Sequence, residues 1–153
     1  MVVFDRELTY GVWRFLSKAT KSNTAFGIGI IDANQSEIQH PFRFNNRLNN
    51  NSICFVGKML YVKGIGKIGA VVKEIQNGDQ IGIVIDLQSI PHTFSLTINA
   101  QIQPFCVTHI PDKVKFVFIL ISMNDEWKFI QLNELKAGVD LSKIDEKSRY
   151  KFE

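Results

Sequence analysis

Short runs of alternating apolar and polar residues are the feature that most constrains this chain. In residues 93–99, "TFSLTIN", and 81–87, "IGIVIDL", every second side chain is a large hydrophobe. A period of two places those side chains on one face of a β-strand. Turn sequences such as Asn77-Gly78 and Ile110-Pro111 separate the runs. Short strands at this close spacing predict an antiparallel sandwich or barrel.

The same pattern recurs along most of the chain. Strands are predicted at residues 12–17, 25–32, 52–57, 59–63, 81–87, 93–99, 114–122 and 126–132. Residues 1–135 are therefore predicted to form one all-β domain. Residues 136–153 are charged with scattered hydrophobes, and are predicted to be a polar tail with at most one short helix.

Bulk properties narrow the class of protein. The chain has 153 residues, about one domain, with 18 basic and 15 acidic residues. The net charge of +3 is too small to predict binding to nucleic acid or an anionic membrane. The longest apolar run, residues 114–123, is too short to cross a bilayer. Because charges at Asp5, Arg6 and Glu7 interrupt any signal-peptide hydrophobic region, we expect a soluble cytoplasmic protein.

Cysteine and histidine spacing gives no sign of a metal or cofactor. Cys54 and Cys106 belong to no C-x-x-C pair and lie in apolar runs, where packing as small hydrophobes is the default. The sequence leaves open the possibility of a disulfide between these two cysteines. His40, His92 and His109 share no metal-ligand spacing. We therefore expect no metal and no cofactor.

The carboxylates favour a structural role. Asp79 follows Gly78 at a strand entry and Asp86 closes the same strand, so both are placed to accept hydrogen bonds from turn amides. A glycosidase on a sandwich would need two carboxylates facing one cleft, and no such pattern is present. The chain is therefore predicted to be non-enzymatic, without a small-molecule substrate.

The stretch "GIGKIG", residues 64–69, matches a dinucleotide-binding pattern, and Asp86 follows 22 residues after Gly64. A short helix is conceivable from Ile68, Val71, Val72 and Ile75. However, Asn77-Gly78 would end it early, and the runs downstream are hairpin-like rather than a doubly wound parallel sheet. The glycines are predicted instead to form a sharp connection between strands.

Residues 40–51, "HPFRFNNRLNNN", form a long polar loop with two phenylalanines and two arginines. Aromatic and arginine side chains are favoured at protein–protein interfaces. The alternative is that the phenylalanines tuck under the sheet edge and the asparagines are only solvated. Trp13 and Trp127 lie in apolar strand runs, which predicts core or partly buried packing for both.

Read in order, these segments resemble the SPRY domain family. Residues 11–32, "GVWRFLSKATKSNTAFGIGIID", are similar to its paired opening strands. Residues 78–99 match its order of Gly-Asp, "hGhhhDh" and "hSFhhN", where h is hydrophobic, and a return through residues 104–111 follows. The family's usual glycine after the asparagine is Ala100 here, so the hairpin turn is open to another type.

The resemblance implies a bent antiparallel two-sheet β-sandwich of the concanavalin A-like, jelly-roll class. It also implies a non-enzymatic adaptor or assembly subunit that binds a protein or peptide partner through loops. Gly27, Gly29 and Gly82 would mark close approaches between strands. The predicted recognition loops are residues 40–51, 56–69 and 123–127. Their candidate partner-binding residues are Phe42, Arg43, Phe44, Asn45, Arg47, Lys58, Met59, Tyr61, Lys63, Asn124, Asp125 and Trp127.

Two other classes of function remain open from the sequence. A lectin-like sandwich would need a calcium-binding Asp/Asn cluster or an exposed aromatic platform. A structural subunit of a large complex would use its tail to wrap a neighbour, ordering only on binding.

Overall fold

A computed structural model describes residues 1–48, 50–67 and 72–153, and in these ranges the chain forms two packed six-stranded sheets. Sheet I contains, from edge to edge, β1 (Val2–Val3), β10 (Val114–Ile119), β3 (Gly27–Asp32), β4 (Ser52–Val56), β5 (Met59–Val62) and β6 (Ile65–Lys67). Sheet II contains β11 (Glu126–Leu135), β2 (Val12–Lys21), β7 (Gln80–Asp86), β8 (Thr93–Ile98), β9 (Gln101–Thr108) and β12 (Arg149–Lys151). The predicted all-β two-sheet sandwich is confirmed.

The alternation seen in the sequence builds the core between the sheets. Ile81, Ile83 and Ile85 of β7 are fully buried and face the interior with Phe94 and Leu96 of β8. Aromatic rings link the two sheets, since Phe15 of β2 stacks on Phe116 of β10 at 4.5 Å and Phe55 of β4 stacks on Phe105 of β9 at 5.8 Å. Burying these rings supplies much of the driving force for packing one sheet on the other.

All eight predicted strands are present, and four more strands were not predicted. β1 and β6 are too short to show a pattern, and β9 contains Pro104, which ordinarily argues against an inner strand. The proline is tolerated because the β8–β9 register shifts between Ser95 and Thr97, where the ladder is irregular.

The C-terminal segment differs from the predicted polar tail. It forms two short 3-10 turns, Leu141–Lys143 and Glu146–Ser148, followed by β12, which pairs in parallel with β9. Ile144 and Ser148 are buried. Arg149 ties the turns together, because its Nε donates to the carbonyl of Ile144 and its Nη2 to that of Leu141, both at 3.0 Å. Sheet II is therefore antiparallel except for the parallel pairing of β12 with β9.

The sandwich has two lateral sides, which differ. On the closed side, beside β6 and β12, Tyr150 and Phe152 pack against the core. On the open side, beside β1 and β11, a cleft of about 590 Å³ is lined by aromatic rings that include Phe4, Phe15 and Phe129.

The expected close approaches at glycine are also present. A methyl group on Gly27 would lie 2.6 Å from Cβ of Ile119, and one on Gly29 would overlap the backbone of Ile53. A methyl on Gly82 would overlap the side chain of Thr97. These positions therefore exclude any larger residue.

Candidate partner-binding site

The described part of the glycine-rich stretch, up to Lys67, belongs to a hairpin. Lys63 and Gly64 have φ values of 51° and +77° and form the turn from β5 into β6, as expected for a sharp connection. No helix follows between residues 72 and 79, while Ile68, Gly69 and Val71 lie outside the described residues. The carboxylate of Asp86 accepts the amide hydrogens of Gln88 at 2.9 Å and Ser89 at 2.8 Å. It therefore holds a turn, as predicted.

The long loop after β3 lies over the outer face of sheet I. Five buried side chains, the outer cluster, face away from the main core on this sheet: Ile31, Cys54, Val56, Val117 and Ile119. Phe42 and Phe44 pack on them and are half-buried, and the ring of Phe44 meets Tyr61 edge-on at 4.9 Å. The phenylalanines therefore fasten the loop to the sheet and leave part of each ring accessible.

Asn50 fixes the path of this loop. Its side chain is buried, and its Nδ2 group donates to the carbonyls of Arg43 at 3.3 Å, Phe44 at 3.2 Å and Asn46 at 2.7 Å. The hydroxyl of Ser52 donates to Oδ1 of Asn50. Buried amides with satisfied donors and acceptors hold a single backbone conformation. The loop is therefore preformed around Arg43.

The β5–β6 turn supports the same loop from below. A methyl group on Gly64 would overlap the backbone carbonyl of Asn46 and lie 2.9 Å from the nitrogen of Arg47. Glycine is required here both by its positive φ and by this contact. Gly64 therefore brings Lys63 and Arg47 to neighbouring positions.

The surface formed in this way is basic. We call it the loop site, and it consists of Phe42, Arg43, Phe44, Asn45, Arg47, Tyr61 and Lys63. Arg43, Asn45 and Arg47 are exposed, and within the described residues neither arginine has a carboxylate within 4.0 Å. Lys63 Nζ lies instead 5.4 Å from the ring centroid of Phe152.

The remaining predicted residues lie elsewhere. Val56 and Ile119 both pair with Gly27, so the β4–β5 turn and the β10–β11 connection lie at the same end of sheet I. Ser52 and Val62, beside the loop site, lie at the opposite end. This end carries Lys58, Met59, Asn124, Asp125 and Trp127. The structure therefore divides the twelve candidates into two groups rather than one surface.

Asp125 in this second group is a structural anchor. Its carboxylate accepts the amide hydrogens of Ile121 at 2.7 Å and Ser122 at 2.9 Å, and the hydroxyls of Ser22 and Ser122 at 2.6 Å. Partial burial raises the pKa of Asp125, but the hydrogen bonds from Ser122, Ser22 and the two amides outweigh it, so the pKa lies below its ordinary value.

Trp127 is mainly a packing residue. Its indole is half-buried, stacks on Phe118 at 4.9 Å and meets Phe26 edge-on at 5.3 Å. Its Nε1 atom is buried without a hydrogen-bond acceptor among the described residues. The prediction of core or partly buried packing is confirmed for Trp127 and Trp13, which are both partly buried against the core.

The two cysteines and Asp79 occupy structural positions. Both cysteines are free and buried, and burial raises the pKa of the Cys54 thiol to about 12, despite its hydrogen bond with Ser52. Asp79 accepts the Gln76 amide hydrogen and the Asn99 side-chain amide, both at 2.8 Å, and pairs with Lys73 at 3.3 Å. In the described part of the chain no three His, Cys, Asp or Glu side chains come together as a metal site, and no helix has the length and apolarity to span a bilayer.

Comparison with known proteins identifies the fold. No family model matches the sequence, and no curated protein matches it. Among solved structures, the chain is similar to the SPRY domain of human HERC1, with a TM-score of 0.60 and 14% sequence identity. The match covers 88% of this chain and 82% of the HERC1 domain. This chain therefore has the two-sheet fold of a SPRY domain.

Proposed function

We propose that this chain is a non-enzymatic protein-interaction module that binds a segment of a partner protein at the loop site. The observation that carries the proposal is the buried Asn50, which fixes the backbone carrying Arg43, while the Arg43 and Arg47 side chains are exposed and form no ion pair with any described residue. A preformed loop loses little conformational entropy on binding. The likeness to a SPRY domain supports the proposal through the fold.

The loop site offers the residue types that interfaces use. Arginine and tyrosine are enriched among the residues that dominate binding energies, and Tyr61 and Phe44 supply an apolar floor beside the two arginines. A partner chain would desolvate the partly accessible rings and pair with the guanidinium groups. A module that binds a partner in this way without a chemical reaction would act as an adaptor or as a subunit of a larger assembly.

Exchange of both arginines for alanine tests this proposal. Arg43→Ala with Arg47→Ala should abolish capture of site-dependent partners, as measured by cross-linking and quantitative mass spectrometry against wild type. Thermal stability should stay unchanged, because both side chains are exposed. The matched control is Lys18→Ala with Lys128→Ala, an exposed pair of cations on sheet II that lie opposite each other.

Two results would count against the loop site. Capture that survives in the arginine variant, with cross-links mapping to the other end of sheet I near Lys58, would move binding to the second group of residues. A large fall in melting temperature would show instead that the arginines support the fold. A glycan array with and without calcium would test a lectin role directly.

A further inference from the structure

We propose that the partner segment taken by the loop site is acidic, with carboxylates that pair with Arg43 and Arg47. This inference rests on the proposed function and names the chemistry of its partner. It comes from the distribution of charge along the chain and over the fold.

The charge of this protein is divided unevenly. No acidic residue occurs between Ile38 and Lys73, whereas six of the 18 basic residues lie there: Arg43, Arg47, Lys58, Lys63, Lys67 and Lys73. All 15 acidic residues lie in the remainder, which holds only 12 basic ones and is net negative. Net charge alone hides this asymmetry.

The fold brings three of these six cations, Arg43, Arg47 and Lys63, to the loop site. Residues 38–67 supply the long loop, β4, β5 and β6, which together form one half of sheet I. Lys73 is neutralised by Asp79, but in the described residues Arg43, Arg47, Lys63 and Lys67 have no carboxylate within 4.0 Å. Lys63 and Lys67 lie over the rings of Phe152 and Tyr150 at 5.4 and 6.0 Å. In the described part of the chain, the cations of the loop site are therefore not engaged in ion pairs and are free to attract an anionic partner.

The two arginines are placed to act together. Arg43 and Arg47 flank a turn in which the Asn46 amide donates to the Arg43 carbonyl at 3.0 Å. A guanidinium group binds a carboxylate through two parallel hydrogen bonds, which gives both strength and orientation. Two carboxylates on one extended segment would be held at a fixed spacing, since Asn50 prevents the loop from adapting.

The aromatic residues favour a peptide over a nucleic acid. Single-stranded nucleic acids need rings that present open faces to bases. Phe44 and Tyr61 are both half-buried and contact each other edge-on, so each covers part of the other.

Fluorescence anisotropy with defined probes tests the inference on the whole chain. The probes are a labelled glutamate-rich peptide with two central leucines, its glutamine and lysine counterparts, and oligo-dT of equal length. The glutamate peptide should bind most tightly, and binding should weaken as salt rises to about 0.3 M. Arg43→Glu with Arg47→Glu should weaken it by about tenfold or more.

A control of equal charge separates site from net charge. Lys18→Glu with Lys128→Glu changes the total charge identically on sheet II and should leave affinity within about twofold. If the arginine variant loses its fold, Arg43→Gln with Arg47→Gln replaces it. Equal loss in the control pair, equal binding of the glutamine peptide, or tighter arginine-dependent binding of oligo-dT would each overturn the inference. Arginine-dependent capture of a partner whose cross-linked segment lacks carboxylates would refute the acidic partner while leaving the proposed function intact.

Discussion

The two lateral sides of the sandwich both carry aromatic residues, but these residues pack on the core on one side and stay partly exposed on the other. On the closed side, Tyr150 and Phe152 pack against the core beneath Lys63 and Lys67. On the open side, Phe129 and Ile130 of β11 remain 45% and 37% exposed beside the aromatic cleft. The presence of aromatic residues alone therefore does not ensure that a lateral side of the sandwich is covered.

The difference lies in the strands that carry the rings. On the closed side, the short strand β12 pairs with β9 without a register shift and carries Tyr150, with Phe152 directly after it, onto the core. The open side ends in the two-residue β1 and in β11, whose first half has register shifts at Glu126/Trp127 and Phe129/Gln131. Irregular and short edge strands discourage pairing with other chains, which protects an exposed apolar edge from aggregation.

The largest expected effect comes from opening the closed side. Tyr150→Ala with Phe152→Ala should lower the free energy of unfolding by about 2–4 kcal/mol, because both rings pack on the core. Phe129→Ala on the open side should cost only about 1 kcal/mol, since nearly half of its surface is already exposed. Urea unfolding of the three proteins measures the comparison. Equal losses would show that the two sides are energetically alike.

A smaller effect is expected on the stability of the protein at acidic pH. Asp125 lines the end of the open side, and its folded-state pKa is lowered by hydrogen bonds that outweigh burial. Its stabilisation is therefore complete above the unfolded pKa of about 4 and is lost as pH falls through the lower folded value. Asp125→Asn should cost about 1–2 kcal/mol at neutral pH, where the charged acceptor is lost. The gap from wild type should narrow in urea titrations below about pH 4. A difference in free energy of unfolding that stays constant with pH would show that the carboxylate charge is not the cause of the stabilisation.

The smallest effect is a gain on the half of sheet II that carries the closed side. Asn99 and Ala100 have φ values of 51° and 65°, and alanine tolerates this left-handed conformation poorly. Ala100→Gly should stabilise the β8–β9 hairpin, on which β12 is paired, by about 1 kcal/mol and raise the melting temperature by about 2–4 °C. Ala137→Gly, at an exposed position without a positive φ, is the matched control and should give no gain.

Strands with alternating apolar residues were predictable, because apolar side chains on one face drive the packing of one sheet on the other. β8 shows this most simply, since Phe94, Leu96 and Ile98 lie in the core between the sheets. β9 was missed because Pro104 argues against a strand until the irregular register beside it is known. Burial in the tail, as at Ile144, depends on a partner strand far away in sequence and has no local signature.

The candidate site was only partly predictable. Loop composition singled out Arg43 and Arg47, but it did not show that Phe42 and Phe44 serve the outer cluster. That cluster uses residues such as Ile31 and Val117, whose side chains point away from the main core. A strand buried on both faces gives a continuous apolar run, which does not reveal what covers its second face. The acid-free interval from Ile38 to Lys73 was visible in the sequence and is the signal that net charge conceals.

The strand order also sets how the chain must reach this structure. The earliest strands pair with the latest ones, since Val2 lies opposite Phe118 and Val12 opposite Leu135. Bringing such distant segments together costs loop-closure entropy before any contact is gained, and topologies of this kind fold slowly. The β7–β8, β4–β5 and β5–β6 hairpins can form locally, so we expect the edge strands β1, β11 and β12 to be completed last. Until then, the aromatic rings on both lateral sides stay in water.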